Sequence, residues 1–461
     1  MRPFVIELDD RAVSFAREGQ VLSSAPSVVW DGSTGELAGT SAWHALRRHP
    51  TATSTRHLGA LLSQTAPSDR VVALVAAELI RRLAVQPPES GERVWIAAPA
   101  RASERGLSAM LAIAQSLSLP VDGFVSTAVA SVAALGLEQT AIVLELGLHH
   151  AAATAIDRDG SQVRRRRTVL SERGGLMGFY QGWLELVSRT MVKRTRFDPL
   201  HDAATEQRLF DSLASWAREA ASEGSVNAFL TKGAERFEVT LTRDQFADAG
   251  RTLHRQVLAL LHELRPAGAT VALVAPAMIG DLPGLREELE LFVGCELISV
   301  PDGHAAAAIS TLELPRRTPE EPVRLLRRLP WSARESPETR VMLGQSRARS
   351  VPPSHLLLEG QVYALGQEPL VLGRSPAGKR TLKLAEGLAG VSRRHCTLVP
   401  QDNEVMLLDH SRFGTFVNGE RVAERVRVRT GDRVRLGDPG VEISLLAVGA
   451  APVAAEQNDS P

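Results

Sequence analysis

Cysteine is almost missing: the 461 residues contain two, Cys295 and Cys396. Two thiols cannot build a disulfide framework or a thiolate zinc site, and such a chain suits a reducing compartment. Both are expected to be small buried hydrophobes. Lysine is scarce as well. Of 53 basic side chains, four are lysine (Lys193, Lys232, Lys379, Lys383) and the rest arginine. An Ala- and Arg-heavy chain with so little lysine reflects a GC-rich genome, so arginine content alone does not signal nucleic-acid binding. Net charge is absent too, because 53 acidic residues balance the 53 basic ones. No long apolar run occurs. The most apolar stretch, 125–148, is broken by Glu138, Gln139 and Glu145, which excludes a transmembrane helix. The N-terminal MRPFVIELDD places charges where a secretory signal needs an apolar run. A cytoplasmic location is expected. Neither G-x-S-x-G nor H-E-x-x-H occurs, and no internal repeat is visible.

What is present is ordinary globular composition, 44% hydrophobic and 23% charged, on a length that suits several domains. Residues 1–312 alternate strand-like and helix-like segments. FVIEL (4–8), RVWIAAPA (93–100), AIVLELG (141–147), ATVALVAPA (269–277) and ELISV (296–300) read as strands. Segments 70–84, 104–117, 127–137, 176–222, 243–265, 283–293 and 302–312 read as helices, and 151–171 as a polar hairpin. This alternation predicts α/β layers around a buried sheet. Residues 313–355 carry seven prolines and nine arginines and read as a mobile linker. Residues 356–448 become short alternating strands with Gly, Asp, Asn and Pro turns, the pattern of an all-β sandwich. The tail, 449–461, is expected to be disordered.

Three motifs punctuate the C-terminal segment: VLGRS (371–375), GVSRRH (390–395) and DHSRFGTFVNG (409–419), followed by RTGDRVRLGD (429–438). A phosphothreonine presents about two negative charges and three acceptor oxygens, so its receptor needs a forked cation and compact donors on neighbouring loops. Arg374 follows a glycine and can grip phosphate bidentately. Ser392 offers a hydroxyl, and Arg393 and Arg394 add charge. In order and spacing the segment resembles the forkhead-associated (FHA) domain. The resemblance implies phosphate contacts from Arg374 and Ser392, and a peptide-binding surface completed by Arg393, Arg394, Arg412, Phe413, Thr415 and Asn418. Gly373, His395, Gly414 and Gly419 would shape the loops. One position departs from the family: Phe413 stands where an Asn usually fixes the peptide backbone, which would favour an apolar side chain beside the phosphothreonine. GRSPAGKR (373–380) nearly spells a Walker A loop. It ends in Arg380, lacks the magnesium-binding hydroxyl and is flanked by strands, so it is no nucleotide loop.

Residues 1–312 resemble the nucleotide-binding domain of the seventy-kilodalton heat-shock chaperones, in the actin-like ATPase superfamily. The segments carrying the resemblance are APSVVWDG (25–32), LAGTSAWHALRRHP (37–50), the block 96–137, LVAPAMIGDLPGLREELELFVG (273–294) and SVPDGHAAAAIS (299–310). The implied fold is a two-lobed, ribonuclease-H-like α/β structure followed by the FHA β-sandwich. The implied nucleotide site is degenerate at Glu7, Asp9, Glu145 and Gly147. The first phosphate loop reads Glu7-Leu8-Asp9-Asp10-Arg11, and the second Glu145-Leu146-Gly147-Leu148-His149-His150. The positions of the family's catalytic Glu-Pro pair hold Thr127-Ala128, its lysine falls at Thr55 or Arg56, and its adenosine-side Gly-Gly is Ala275-Pro276, where proline removes a backbone donor. No catalytic residue, resident cofactor or metal site is expected, and ATP with magnesium is the cofactor the family would bring.

Taken together, these features imply a phosphothreonine-dependent adaptor in bacterial Ser/Thr-kinase signalling, whose inactive chaperone-like module serves as an interaction platform. Its expected partner is a phosphothreonine-containing protein, with no nucleic acid and no membrane span. The alternative is a working or nucleotide-binding ATPase regulated through the FHA domain. The run Arg164–Arg167 reads as a solvated hairpin rim, because alternate strand residues face opposite sides. His149-His150 has no ligand spacing beside it and reads as structural.

Overall fold

The computed structural model describes residues 2–32, 35–265, 270–290, 292, 295–318, 320–331, 339–342, 352–385, 387–401, 404–418, 420–438 and 440–447. The chain divides into two compact units, one built mainly from residues up to 342 and the other mainly from the residues after it.

The first unit is mixed α/β. Its first sheet runs, edge to edge, Arg324–Leu326, Val121–Ser126, Val94–Ala98, Phe4–Leu8, Val13–Arg17 and Gln20–Ala25. Residues 4–25 form an antiparallel meander, while Val94–Ala98 and Val121–Ser126 add on parallel to it. The second sheet repeats this plan. Ala141–Leu146, Ala151–Asp159 and Gln162–Ser171 form a meander, and Val271–Pro276 and Cys295–Val300 add on parallel. Each fifth strand leads into a short alanine-rich helix, Thr127–Leu135 after the first and His304–Ser310 after the second. These two helices pack together, and their small side chains permit close approach.

Strand Phe4–Leu8 shows how the core is divided. Successive side chains point to opposite faces. Phe4, Ile6 and Leu8 enter one cluster with Leu58, Leu61, Ile96 and Met110. Val5 enters another, with Val129, Val143, Ala272, Ala305 and Ile309, which joins the two sheets. Strands buried on both faces read as continuous apolar runs, which is why these were the clearest segments in the sequence.

Helix starts follow local capping. Ser68 and Ser103 accept hydrogen bonds from the third residue onward, and Thr242 forms a reciprocal capping box with Gln245. The stretch expected as helix over 176–222 is two helices, Leu176–Thr195 and Ala203–Glu223. A hairpin that escaped sequence reading, Ser225–Lys232 with Glu235–Thr242, follows them. The helix expected over 283–293 contracts to Leu285–Leu289.

The reading of 313–355 as one linker is corrected in its first half. Arg324–Leu326 pairs with the edge of the first sheet, and Arg328–Pro330 pairs with Gln162–Ser171 at the edge of the second. Thr339–Met342 pairs antiparallel with Cys295–Val300. Proline content hid these strands. Pro330 sits at a strand end on an edge, where a missing N–H costs nothing. Residues 332–338 and 343–351, like the tail expected to be disordered, lie outside the described residues.

The second unit is a β-sandwich. One sheet orders as Gln361–Ala364, His355–Leu358, Val441–Leu446, Arg433–Leu436, Thr415–Val417 and Glu420–Arg421. The other orders as Arg380–Lys383, Leu370–Gly373, Cys396–Gln401, Glu404–Asp409 and Arg425–Val428. Leu356, Leu372, Cys396, Leu398, Leu407, Leu436 and Leu445 fill the space between them. Burial pushes both cysteine thiols up, as expected of small core hydrophobes.

Candidate phosphate-binding loops and the turns bridged by Asp10

In the first unit Glu7, Asp9, Glu145 and Gly147 come together around the turns bridged by Asp10. Glu7 Oε2 accepts the Ala306 N–H (2.8 Å), and Glu145 Oε2 accepts the Ala100 N–H (2.7 Å). Glu145 Oε1 is buried without a partner. Burial pushes both carboxyls up to about 7, despite those hydrogen bonds. Asp9 accepts the N–H of its own Arg11 (2.9 Å), and burial pushes it up to about 6.

Asp10, which the sequence reading did not single out, does the bridging. It leaves the first turn and accepts the backbone N–H groups of Leu148 (2.8 Å) and His149 (3.3 Å) in the second turn. Its other contact is His150 Nδ1 (3.2 Å). Burial opposes ionisation of Asp10, but the His150 hydrogen bond and charge outweigh it and hold the carboxyl down to about 2. His150 is correspondingly raised against the pull of burial. Burial pushes His149 down to about 4, and its Nε2 lies 2.8 Å from the Thr55 hydroxyl. The histidine pair is thus committed to internal contacts. Gly147 is required: a Cβ there would lie 2.2 Å from Asp10 Oδ1. Backbone N–H groups in a tight turn form a natural anion site, and here a carboxylate of the same chain already occupies two of them. Among the described residues, no three His, Cys, Asp or Glu side chains are grouped as metal ligands.

In the second unit the sandwich holds two loops against each other. Gly373 ends its strand with a backbone so close to Arg393 that a Cβ would lie 2.1 Å from the Arg393 carbonyl oxygen. The N–H groups of Arg374 and Ser375 donate to the carbonyls of Ser392 (3.1 Å) and Arg393 (3.0 Å). His395 is fully buried. Its Nδ1 accepts the Ser392 N–H (2.9 Å), so the ring proton sits on Nε2 and points at the Gly414 carbonyl (3.3 Å). Burial holds this imidazole below its ordinary range, consistent with a neutral brace. Ser392 Oγ accepts the Arg412 N–H (3.0 Å), which leaves its own proton for a ligand.

The loops that meet here carry four cations: Arg374, Arg393, Arg394 and Arg412. The last three are exposed. The Arg374 Nε–H is buried and unpartnered, and among the described residues none of the four is paired with a carboxylate. Three other arginines of the sandwich are paired: Arg427 with Glu404, Arg433 with Glu442, Arg435 with Asp438. Phe413 is 51% exposed, with the Arg412 guanidinium 5.8 Å from its ring centre.

Thr415 and Asn418, expected on the peptide-binding surface, make hydrogen bonds within the domain. Thr415 is fully buried, and its hydroxyl donates to Asp409 (2.7 Å). Burial would raise Asp409, but hydrogen bonds from Thr415 and Ser411 hold it below the usual carboxylate range. Asn418 takes a left-handed backbone and ties Asp432 (2.9 Å) to the Arg433 N–H (3.0 Å). Gly414, beside the buried Thr415, takes φ 86. Gly419 lies outside the described residues.

No curated protein matches the chain. A family model does: the FHA domain, over residues 370–437. That span contains the Gly373–Arg374 turn, the Ser392–His395 loop, the Arg412–Phe413 tip and their bracing hydrogen bonds. The C-terminal sandwich therefore contains an FHA domain, a module of phosphothreonine-dependent protein interaction.

Proposed function

We propose that the protein is a phosphothreonine-dependent adaptor in Ser/Thr-kinase signalling, with its first unit an actin-like module that has lost ATPase activity and serves as an interaction platform. The observation that carries the binding half is the meeting of the loops: Ser392 Oγ accepts the Arg412 N–H and keeps its own proton for a ligand, and the loops joined there carry Arg374, Arg393, Arg394 and Arg412, none paired with a carboxylate among the described residues. Charge-assisted hydrogen bonds of this kind contribute roughly 1.5–3 kcal/mol each. Two features support the reading of the first unit. Its two sheets share one five-strand topology, as a two-lobed actin-like fold requires. The Asp10 carboxylate occupies second-turn amides that a phosphate would need.

The test is fluorescence anisotropy of the full chain against phosphothreonine, phosphoserine and unphosphorylated peptide libraries. Phosphothreonine-selective binding is expected. Arg374→Ala should weaken it by about tenfold or more. Phe413→Asn should relax the preference for an apolar residue beside the phosphothreonine while retaining phosphate dependence. Binding indifferent to phosphate, or unchanged in Arg374→Ala, overturns the adaptor reading. ATP hydrolysis above background that is lost in Glu145→Gln overturns the inactive-module reading separately.

A further inference from the structure

The first unit contains a cavity of about 350 Å³ that lies beside the two turns bridged by Asp10, with Arg11 and Leu148 in its lining. Its volume falls at the lower end of the range for small-molecule sites. Helix Leu176–Thr195 supplies an aromatic wall of Phe179, Tyr180 and Trp183, and Trp43 closes on it. The rings meet edge to face, with Trp43 5.6 Å and Trp183 5.8 Å from Tyr180. Such a wall favours another flat ring.

The charges on the lining cancel. Arg11 pairs with Asp302 at 2.5 Å, and Arg218 pairs with Asp281 at 3.0 Å. Leu148 also lines the cavity, and its N–H is already bonded to Asp10. A polyphosphate entering here would meet a neutralised wall and, at Leu148, a turn amide that is already occupied.

We propose that this cavity binds a small, flat, uncharged aromatic molecule and excludes polyphosphates. The probe is N-phenyl-1-naphthylamine, with its sulfonate, 8-anilinonaphthalene-1-sulfonate, as the charged twin. Both are titrated against the full chain by fluorescence. The neutral probe should saturate at one per chain, and the sulfonate should bind about tenfold more weakly or worse. Ala214→Trp, on helix Ala203–Glu223, and Ala25→Leu, on strand Gln20–Ala25, fill the cavity from two different elements. Either variant, once shown to be folded by circular dichroism, should lower affinity about tenfold, equivalent to ~1.4 kcal/mol. ATP with magnesium should not displace the probe. The proposal fails if the neutral probe does not bind, if several probes bind per chain, if a folded variant binds it as well as the parent, or if magnesium-ATP competes.

Discussion

Glu145 shows how one side chain can carry a measurable property of the whole first unit. Its carboxyl is buried beneath the Ala100 N–H and titrates near 7 rather than 4.5. A carboxyl whose folded value is raised stabilises the fold while protonated. That contribution is full below about 4.5 and is lost as pH rises through about 7. Glu7 behaves the same way. Asp10 runs oppositely: its stabilisation is present above about 4 and lost as pH falls toward about 2. Thermal stability of the first unit should therefore decline between pH 5 and 7.5. Glu145→Gln keeps the acceptor for Ala100 and removes the titration. It should flatten that decline and stabilise the unit at pH 7.5 by up to roughly 3 kcal/mol. Melting curves across the pH range check this, and an unchanged slope refutes it. At the same scale, Gly147 and Gly373 look alike in the sequence but answer to different neighbours, an Asp10 carboxylate and an Arg393 carbonyl.

At the scale of elements, the segment 324–331 joins two sheets that the rest of the chain builds separately. Leu329 is buried. The Trp331 indole N–H donates to the Leu137 carbonyl (2.9 Å), and the Arg158 guanidinium lies 3.6 Å over its ring. A mobile linker would tolerate truncation here. The observed packing instead predicts that Leu329→Ala and Trp331→Ala each destabilise the first unit by about 2–4 kcal/mol, read as a lowered midpoint in urea with unchanged slope. The run Arg164–Arg167 is a solvated rim, with Arg164 near Asp159, Arg166 near Asp157 and Arg167 paired to Glu263.

For the whole molecule, the division into two units with separate cores has a calorimetric consequence. Leu372 is fully buried in the sandwich core. Leu372→Ala should cost about 2–5 kcal/mol and lower the transition of the C-terminal unit, together with phosphopeptide binding. The transition moved by Leu329→Ala should stay in place. A single transition shifted equally by both substitutions would contradict this.

The strands of the first unit were legible because burial on both faces leaves uninterrupted apolar runs, and the C-terminal loops because phosphate recognition needs Gly-Arg and Ser-Arg-Arg-His at set spacing. Local chemistry of that kind is written in neighbouring residues. The repeat of one topology in the two sheets was not legible in the hydrophobic pattern itself and was expected only through the resemblance to a two-lobed fold, since one strand order can be built from different side chains. Nor were the bonds from Asp10 to Leu148 and His149, made across 138 and 139 residues, or those from Thr415 to Asp409 and from Asn418 to Asp432. Which partner a polar side chain finds depends on what folding brings within 3 Å of it. For the residues that decide function in this protein, that is a property of the tertiary structure.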